Sequence, residues 1–417
     1  MKVLVAGNGF DLEHGLATSY WNCLDFLYVA YHCKYDDNFE YWRSILWRDL
    51  QRADKRLQGF SECQVNFLKN YLRQCTFPDI SDFYYISYED RRLNELLDEC
   101  ISNNLWLEYF WNVQKGQQVK GYKWIDFESE MSQIVQVIDC RIAELNDESI
   151  PQYGIDLRIF HESDFKTHPN LAALWMKICS LPEIRFGRNA SKRELKMKVI
   201  DSLYESLTKL TTAIEIYFKI CTTKDIAFLE NDAMKRWLID ISTGRGAIDK
   251  VISFNYTNTF VRYMRNPDQA NICHIHGTIR DSITNTESPL IIGIDEYLDT
   301  NNQNKDVDWV MFKKYFQRLY KHSDYKYKGW ELFGGSAKTA ASEPIELYIF
   351  GHSLDLTDRD VLCDLILNGK QATTTIFYRS NEQLSSELKN LIRLIGSDEL
   401  NKRARSIPPS IVFVSQY

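Results

Sequence analysis

Four short segments combine small, flexible residues with side chains that can hold a nucleotide or move a proton. The first is Gly7-Asn8-Gly9-Phe10-Asp11, directly behind the apolar run Val3-Leu4-Val5-Ala6. A glycine turn at the carboxyl end of a strand lets backbone approach a phosphate, and the helix that follows offers N–H groups and a positive dipole end. Position 12 is Leu, so the G-x-G-x-x-G spacing is incomplete. A tight strand–helix turn with Asp11 as helix cap is the competing reading. His14, Thr18 and Tyr20 continue the segment as a polar loop close to the strand end.

The second segment, Ser253-Phe254-Asn255-Tyr256-Thr257-Asn258, ends another apolar run. Asn255 offers both a donor and an acceptor, suited to a ribose hydroxyl or to orienting a water; a turn cap built of Asn and Thr uses the same residues. The third is His274-Ile275-His276-Gly277. In a strand, residues two apart share a face, so both imidazoles are expected to point the same way, with His276 placed as a general base near neutral pH. Cys273 would then face the opposite side, and no second cluster has zinc spacing, so a metal is not expected. The fourth is Gly351-His352-Ser353-Leu354-Asp355. Behind it, Thr357 reads as a helix cap with Asp358 and Asp360 in the first turn, where acids suit the dipole. Asp126 and Glu128 (Trp124-Ile125-Asp126-Phe127-Glu128) are two residues apart and do not share a helix face; they cap a helix, reach the site, or face solvent.

These segments need rigid elements behind them. Short apolar runs at 3–6, 251–254, 272–275, 290–292, 347–350, 375–378 and 411–414 are rich in β-branched and aromatic residues. Apolar on both faces, they suit the interior of a parallel sheet covered by helices. Residues 28–247 read differently. Pro78 is the one proline before Pro151, and Leu93, Leu96, Leu97, Cys100 and Ile101 form a helical stripe, as does the stretch Glu194–Phe218. Seven of the ten tryptophans lie there, consistent with a bundle packed by large aromatics. The expected fold is α/β: a Rossmann-like parallel sheet made of residues 1–27 and 248–417, with a large, mainly helical insertion at 28–247. The small-residue stretch 330–344 reads as a connection into the next strand.

Composition narrows the function classes. The 417 residues carry 44% hydrophobic and 26% charged side chains, which excludes a disordered or collagen-like chain. Fifty basic against 57 acidic residues give a net charge of −7, so no overall basic charge points to nucleic acid or a membrane surface. No apolar run approaches the roughly 18–20 residues that span a bilayer, and the opening lacks the pattern of a signal peptide. The ten cysteines include no C-x-x-C pair, and a cytoplasmic chain with reduced thiols is expected.

Taken together, GNGFDLEHGLATSY, WIDFE, FNYTN, HIHG and GHSLDLTD resemble the bacteriophage abortive infection AbiH family, and the order of these motifs covers both ends of the chain. That family in turn resembles sirtuin-type NAD-binding domains, which implies a sirtuin-like, DHS-type sheet. Under this resemblance Gly7 and Gly9 match the glycine turn and Asn255 the strand-end asparagine. His276-Gly277 match the catalytic His-Gly, Gly351, Ser353 and Leu354 match the G-x-S-L segment, and Asn381 matches an adenosine-side asparagine. Two departures stand out: Thr257 replaces the acid usual two residues after the asparagine, and Asn8, Phe10 and Asp11 replace small residues and serine. The zinc module of deacetylating sirtuins is absent.

The resemblance implies an antiphage effector that binds NAD as substrate and hydrolyses it to nicotinamide and ADP-ribose. Asn255, His276 and Asp11 are the expected catalytic residues. Gly7, Asn8, Gly9, Phe10, His14, Thr18, Tyr20, Thr257, Gly277, Gly351, His352, Ser353 and Asn381 are expected around the dinucleotide, with its pyrophosphate on Gly7–Gly9. NAD or a related nucleotide is the expected partner, with room for a phage-derived trigger and a homo-oligomer. Two alternatives stay open: a nucleotide-binding sensor of phage components without turnover, and a nucleic-acid-cleaving effector using a metal on Asp11, Asp126 and Glu128.

Overall fold

A computed structural model describes residues 1–35, 60–76, 88–145, 159–184, 191–222, 248–295, 307–323, 325–330, 345–367 and 371–416. In chain order the elements begin with β1 (Lys2–Ala6), α1 (Asn8–Glu13), α2 (Tyr20–Tyr35), α3 (Glu62–Thr76), α4 (Tyr88–Ile101) and α5 (Leu105–Val119). There follow α6 (Phe127–Glu144), α7 (Glu162–Thr167), α8 (Leu171–Ser180), α9 (Lys192–Thr222), β2 (Lys250–Ser253), β3 (Ile272–His274) and α10 (Lys314–Tyr320). The chain closes with β4 (Ile345–Phe350), α11 (Arg359–Leu367), β5 (Gln371–Tyr378), α12 (Asn381–Ile395), α13 (Ser397–Ala404) and β6 (Ile411–Ser415).

The chain forms two compact units. One comprises Met1–Thr18, Asp225–Ile279 and Arg318–Tyr417, and holds a six-stranded sheet in the order β3-β2-β1-β4-β5-β6. Every neighbouring pair is parallel. Strand alternation divides its residues between two apolar layers. Val3, Val5, Ile252, Cys273, Leu347, Ile349 and Ile376 face a layer completed by Leu354 and by α11, α12 and α13. Leu4, Ala6, Val251, Ile272, Phe350 and Phe377 face the other, completed by Phe10 of α1 and by Phe260. Apolar residues are required on both faces because both are covered, which explains the continuous apolar runs.

The other unit comprises Ser19–Lys224 and Arg280–Gln317 and is mainly helical. Its long helix α9 turns Leu203, Leu207, Leu210 and Ile214 inward. The Trp106 indole donates to the Leu203 carbonyl at 2.9 Å, and the Ser206 hydroxyl accepts from the Leu105 N–H at 2.7 Å, which ties α5 to α9. Asn104 starts α5 by accepting the Leu107 N–H at 3.0 Å, so a capped turn separates it from α4, which carries the stripe from Leu93 to Ile101. Phe110 stacks on Phe127 at 3.9 Å between ring centres.

The expected strand at 290–292 is not one. Leu290, Ile291 and Ile292 are fully buried, but in irregular backbone of the helical unit, where the Ile292 carbonyl accepts from the Gln317 side chain at 2.9 Å. A short apolar run reports burial, and a helical core satisfies it as well as a sheet does. Residues 331–344, most of the expected connection, lie outside the described residues. No helix among the described residues is long and apolar enough to cross a membrane.

Candidate functional site

Four of the chemistry-bearing segments follow the carboxyl ends of four adjacent strands: Gly7–Asp11 after β1, Phe254–Thr257 after β2, Ile275–Gly277 after β3 and Gly351–Asp355 after β4. Strand order reverses between β1 and β4, and open α/β sheets bind ligands in the crevice at such a point.

The glycines at this crevice have a task of their own. The Gly9 N–H donates to the Gly351 carbonyl at 2.9 Å, and the Gly7 N–H to the Phe350 carbonyl at 2.9 Å. A Cβ on Gly351 would sit 2.3 Å from the Phe10 nitrogen, and one on Gly7 2.5 Å from the Gly351 oxygen. Two neighbouring turns thus touch backbone to backbone, and the amides of Gly7, Gly9 and Phe10 are bonded to protein carbonyls. The glycine turn supplies shape here; those three donors are already engaged.

Asp11 does not cap α1, whose N-cap is Gly7. It lies inside the helix, 1% exposed, and its Oδ2 accepts from the Thr257 hydroxyl at 2.6 Å; Thr257 in turn lies 3.0 Å from the Thr259 hydroxyl. Burial pushes the Asp11 carboxyl up to about 6, while Thr257, Thr259 and the neighbouring Asn255 amide hold it down. Asn255 is 4% exposed. Beyond that contact with each other, its side-chain polar atoms and Asp11 Oδ1 are buried and make no hydrogen bond of good geometry. Leaving such atoms unsatisfied costs about 1–3 kcal/mol each. The threonine that stands where the resemblance expects an acid therefore holds an acid supplied from β1–α1.

A second polar group gathers around Asp358. His276 Nε2 lies 2.8 Å from Asp358 Oδ1, and both residues are buried. His352 Nε2 lies 3.6 Å from Oδ2, and Arg318 Nη1 4.0 Å from Oδ1. Phe254 packs edge-on against both imidazoles, 5.3 Å from the His276 ring and 4.2 Å from that of His352. The expectation that His274 and His276 share a face fails: β3 ends at His274, and the turn that follows ends the two-residue alternation. The His274 ring instead lies 5.8 Å from Phe260, in the opposite layer, with Nδ1 3.4 Å from the Asn255 carbonyl. Likewise Asp355, not Thr357, caps the turn before α11, accepting the Thr357 N–H at 3.0 Å. Asp358 is not a solvated first-turn acid but a buried imidazole partner. Arg318 carries no local signal: it is one cation in a stretch that also holds Lys313, Lys314 and Lys321.

The remaining expected site residues fall into distinct settings. His14 is fastened at both nitrogens, Nδ1 to the Phe10 carbonyl at 2.6 Å and Nε2 to the Tyr263 hydroxyl at 2.7 Å. The Thr18 hydroxyl donates to Asn8 Oδ1 at 2.7 Å. Phe10 packs in the core against Phe350. Tyr20 belongs to the helical unit and stacks on Phe127 at 4.3 Å. Gly277 holds a positive φ of 80°. Ser353 is exposed and its carbonyl accepts from Asn390 at 2.9 Å; Asn381 is exposed at the start of α12, behind its Ser380 cap. Asp126 caps α6 through the Ser129 N–H at 3.0 Å, and Glu128 pairs with Lys314 at 2.7 Å within the helical unit. Among the described residues no three His, Cys, Asp or Glu side chains are grouped to hold a metal ion.

Comparison with known proteins gives one family: a model described as bacteriophage abortive infection AbiH matches residues 3–378. No curated protein and no solved structure matches.

Proposed function

The chain belongs to the AbiH family, described as acting in bacteriophage abortive infection, and from that premise we propose that it hydrolyses the nicotinamide–ribose bond of NAD. The observation that carries this reading is the buried Asp11–Asn255 pair at the crevice beside β1: the Asn255 amide bears on the Asp11 carboxyl, and Asp11 Oδ1 and Asn255 Oδ1 and Nδ2 make no other hydrogen bond of good geometry. The strand order 3-2-1-4-5-6 is that of dinucleotide-binding doubly wound sheets, which supports a nucleotide in that crevice.

In the reaction the C1′–N bond breaks and its electron pair neutralises the pyridinium nitrogen of the departing nicotinamide. The C1′ centre becomes oxocarbenium-like, and water adds there, losing one proton. An ionised Asp11 stabilises the developing positive charge, as carboxylates do in glycoside cleavage. Asn255 holds the ribose hydroxyl or the attacking water through its donor and acceptor. His276, on the next strand end, accepts the proton. The bonded amides of Gly7 and Gly9 do not support a pyrophosphate cradle there, so the reading rests on the ribose end of the substrate.

The test is mass spectrometry of nucleotides in infected cells carrying the wild type or Asn255→Ala. The wild type is expected to convert NAD to nicotinamide and ADP-ribose, and the variant to lose at least about 100-fold of that rate. Intact NAD alongside full phage protection would overturn the reading. Nucleotide bound but unchanged by the purified, triggered protein would turn it into a sensor.

A further inference from the structure

The group around Asp358 is more ordered than a buried acid needs to be. His352 Nδ1 accepts the Leu354 N–H at 2.9 Å, which fixes its proton on Nε2, the nitrogen facing Asp358 Oδ2. Leu354, fully buried, takes a positive φ of 56° to place that N–H. A non-glycine residue held in the left-handed region costs about 1 kcal/mol or more, so the loop is strained into this arrangement. His276 faces the other oxygen of the same carboxylate. Arg318, 3% exposed, anchors Nη2 on Asp360 at 2.6 Å and turns Nη1 toward Asp358 at 4.0 Å. A lone carboxyl this buried would take up a proton; a guanidinium and two imidazole N–H groups beside it favour the charged form.

We propose that Asp358 is the positioning residue for His276: its carboxylate holds the imidazole proton on Nε2, which leaves the basic lone pair on Nδ1, and stabilises the imidazolium once that lone pair takes a proton. This rests on the reading of His276 as the base. Asp358 and Phe254 are among the groups that face His276, and around Asp358 stand His352, Arg318 and, through Arg318, Asp360. Because the charge that stabilises the imidazolium belongs to Asp358, removing it lowers the pH at which His276 titrates. Removing the charge of Asp360, which touches Arg318 and is half-exposed, does not.

The test is nuclear magnetic resonance of the full-length protein with isotope-labelled histidine, His276 being assigned by the signal lost in His276→Gln. In the wild type the neutral ring is expected as the Nε2–H tautomer. In Asp358→Asn its midpoint is expected to fall by about one pH unit or more, in Asp358→Glu to recover in part, and in Asp360→Asn to stay. A wild-type His276 protonated on Nδ1, or a midpoint equal in wild type and Asp358→Asn, overturns the proposal. The first of these readouts needs no change at Asp358, only the His276→Gln variant that assigns the signal. With NAD, Asp358→Asn is expected to lose about 100-fold or more in kcat while KM changes by less than about threefold. An unchanged kcat overturns the role as well. A wild type that releases no nicotinamide sinks the hydrolase reading alone, while the tautomer and the midpoint still decide on Asp358.

Discussion

Asp11 links stability to chemistry in a way one substitution exposes. Its carboxyl is raised from 3.8 to about 6 chiefly by burial, so the folded protein holds this proton more tightly than the unfolded chain does. The stability that follows is fully present below pH 3.8 and is lost as pH rises through about 6. That rise corresponds to about 3 kcal/mol. Asp11→Asn keeps the shape and an oxygen to accept from Thr257, but has no proton to lose. Linkage places about 1 kcal/mol of the loss below pH 4.5 and about 2 kcal/mol between pH 4.5 and pH 8. Paired urea titrations of wild type and Asp11→Asn at these two pH values measure the difference, and the advantage of the variant should widen by about 2 kcal/mol at the higher pH. An advantage that stays constant, or a variant that is the weaker at pH 8, refutes the idea that the Asp11 charge is maintained at a cost. Under the proposed reaction the same variant cleaves no NAD: a gain in stability bought with function.

Two other predictions test the scaffold. Gly351 has a φ of 67°, and a Cβ there meets the Phe10 nitrogen at 2.3 Å, so Gly351→Ala should cost about 3 kcal/mol or more, read as a lost or lowered melting transition. Gly116→Ala is the matched control: nothing lies within 4 Å, and in the interior of α5 alanine should stabilise by about 1 kcal/mol. In the helical unit, Glu215 is fully buried and accepts from Arg280 Nε at 2.9 Å and Nη2 at 2.8 Å. Arg280→Met should destabilise by about 3–5 kcal/mol at neutral pH by stranding that carboxylate, and Arg280→Met with Glu215→Leu should recover much of it in the same denaturation assay.

Much of the architecture was legible in the order of residues alone. A parallel sheet needs apolar side chains on both faces, so six strands announced themselves as short two-faced runs, each read within a residue or two at its edges except β5, which starts four residues earlier, at Gln371. The helical stretches showed their period as well. The run at 290–292 misled because apolarity reports burial and not the element that buries it. The site was half legible. Strand-end glycines, Asn255 and His276 were visible because each sits beside a local signal, a strand stopping. What each side chain meets was not. Asp11 and Thr257 are 246 positions apart, and His276 and Asp358 are 82 apart. Nothing near Asp358 in the chain distinguishes it from Asp360, a half-exposed helix-start acid that pairs with Arg318. Only the order in which β3, β2, β1 and β4 stand side by side brings those distant turns to one edge, and a pairing between side chains is a property of that packing rather than of either local sequence.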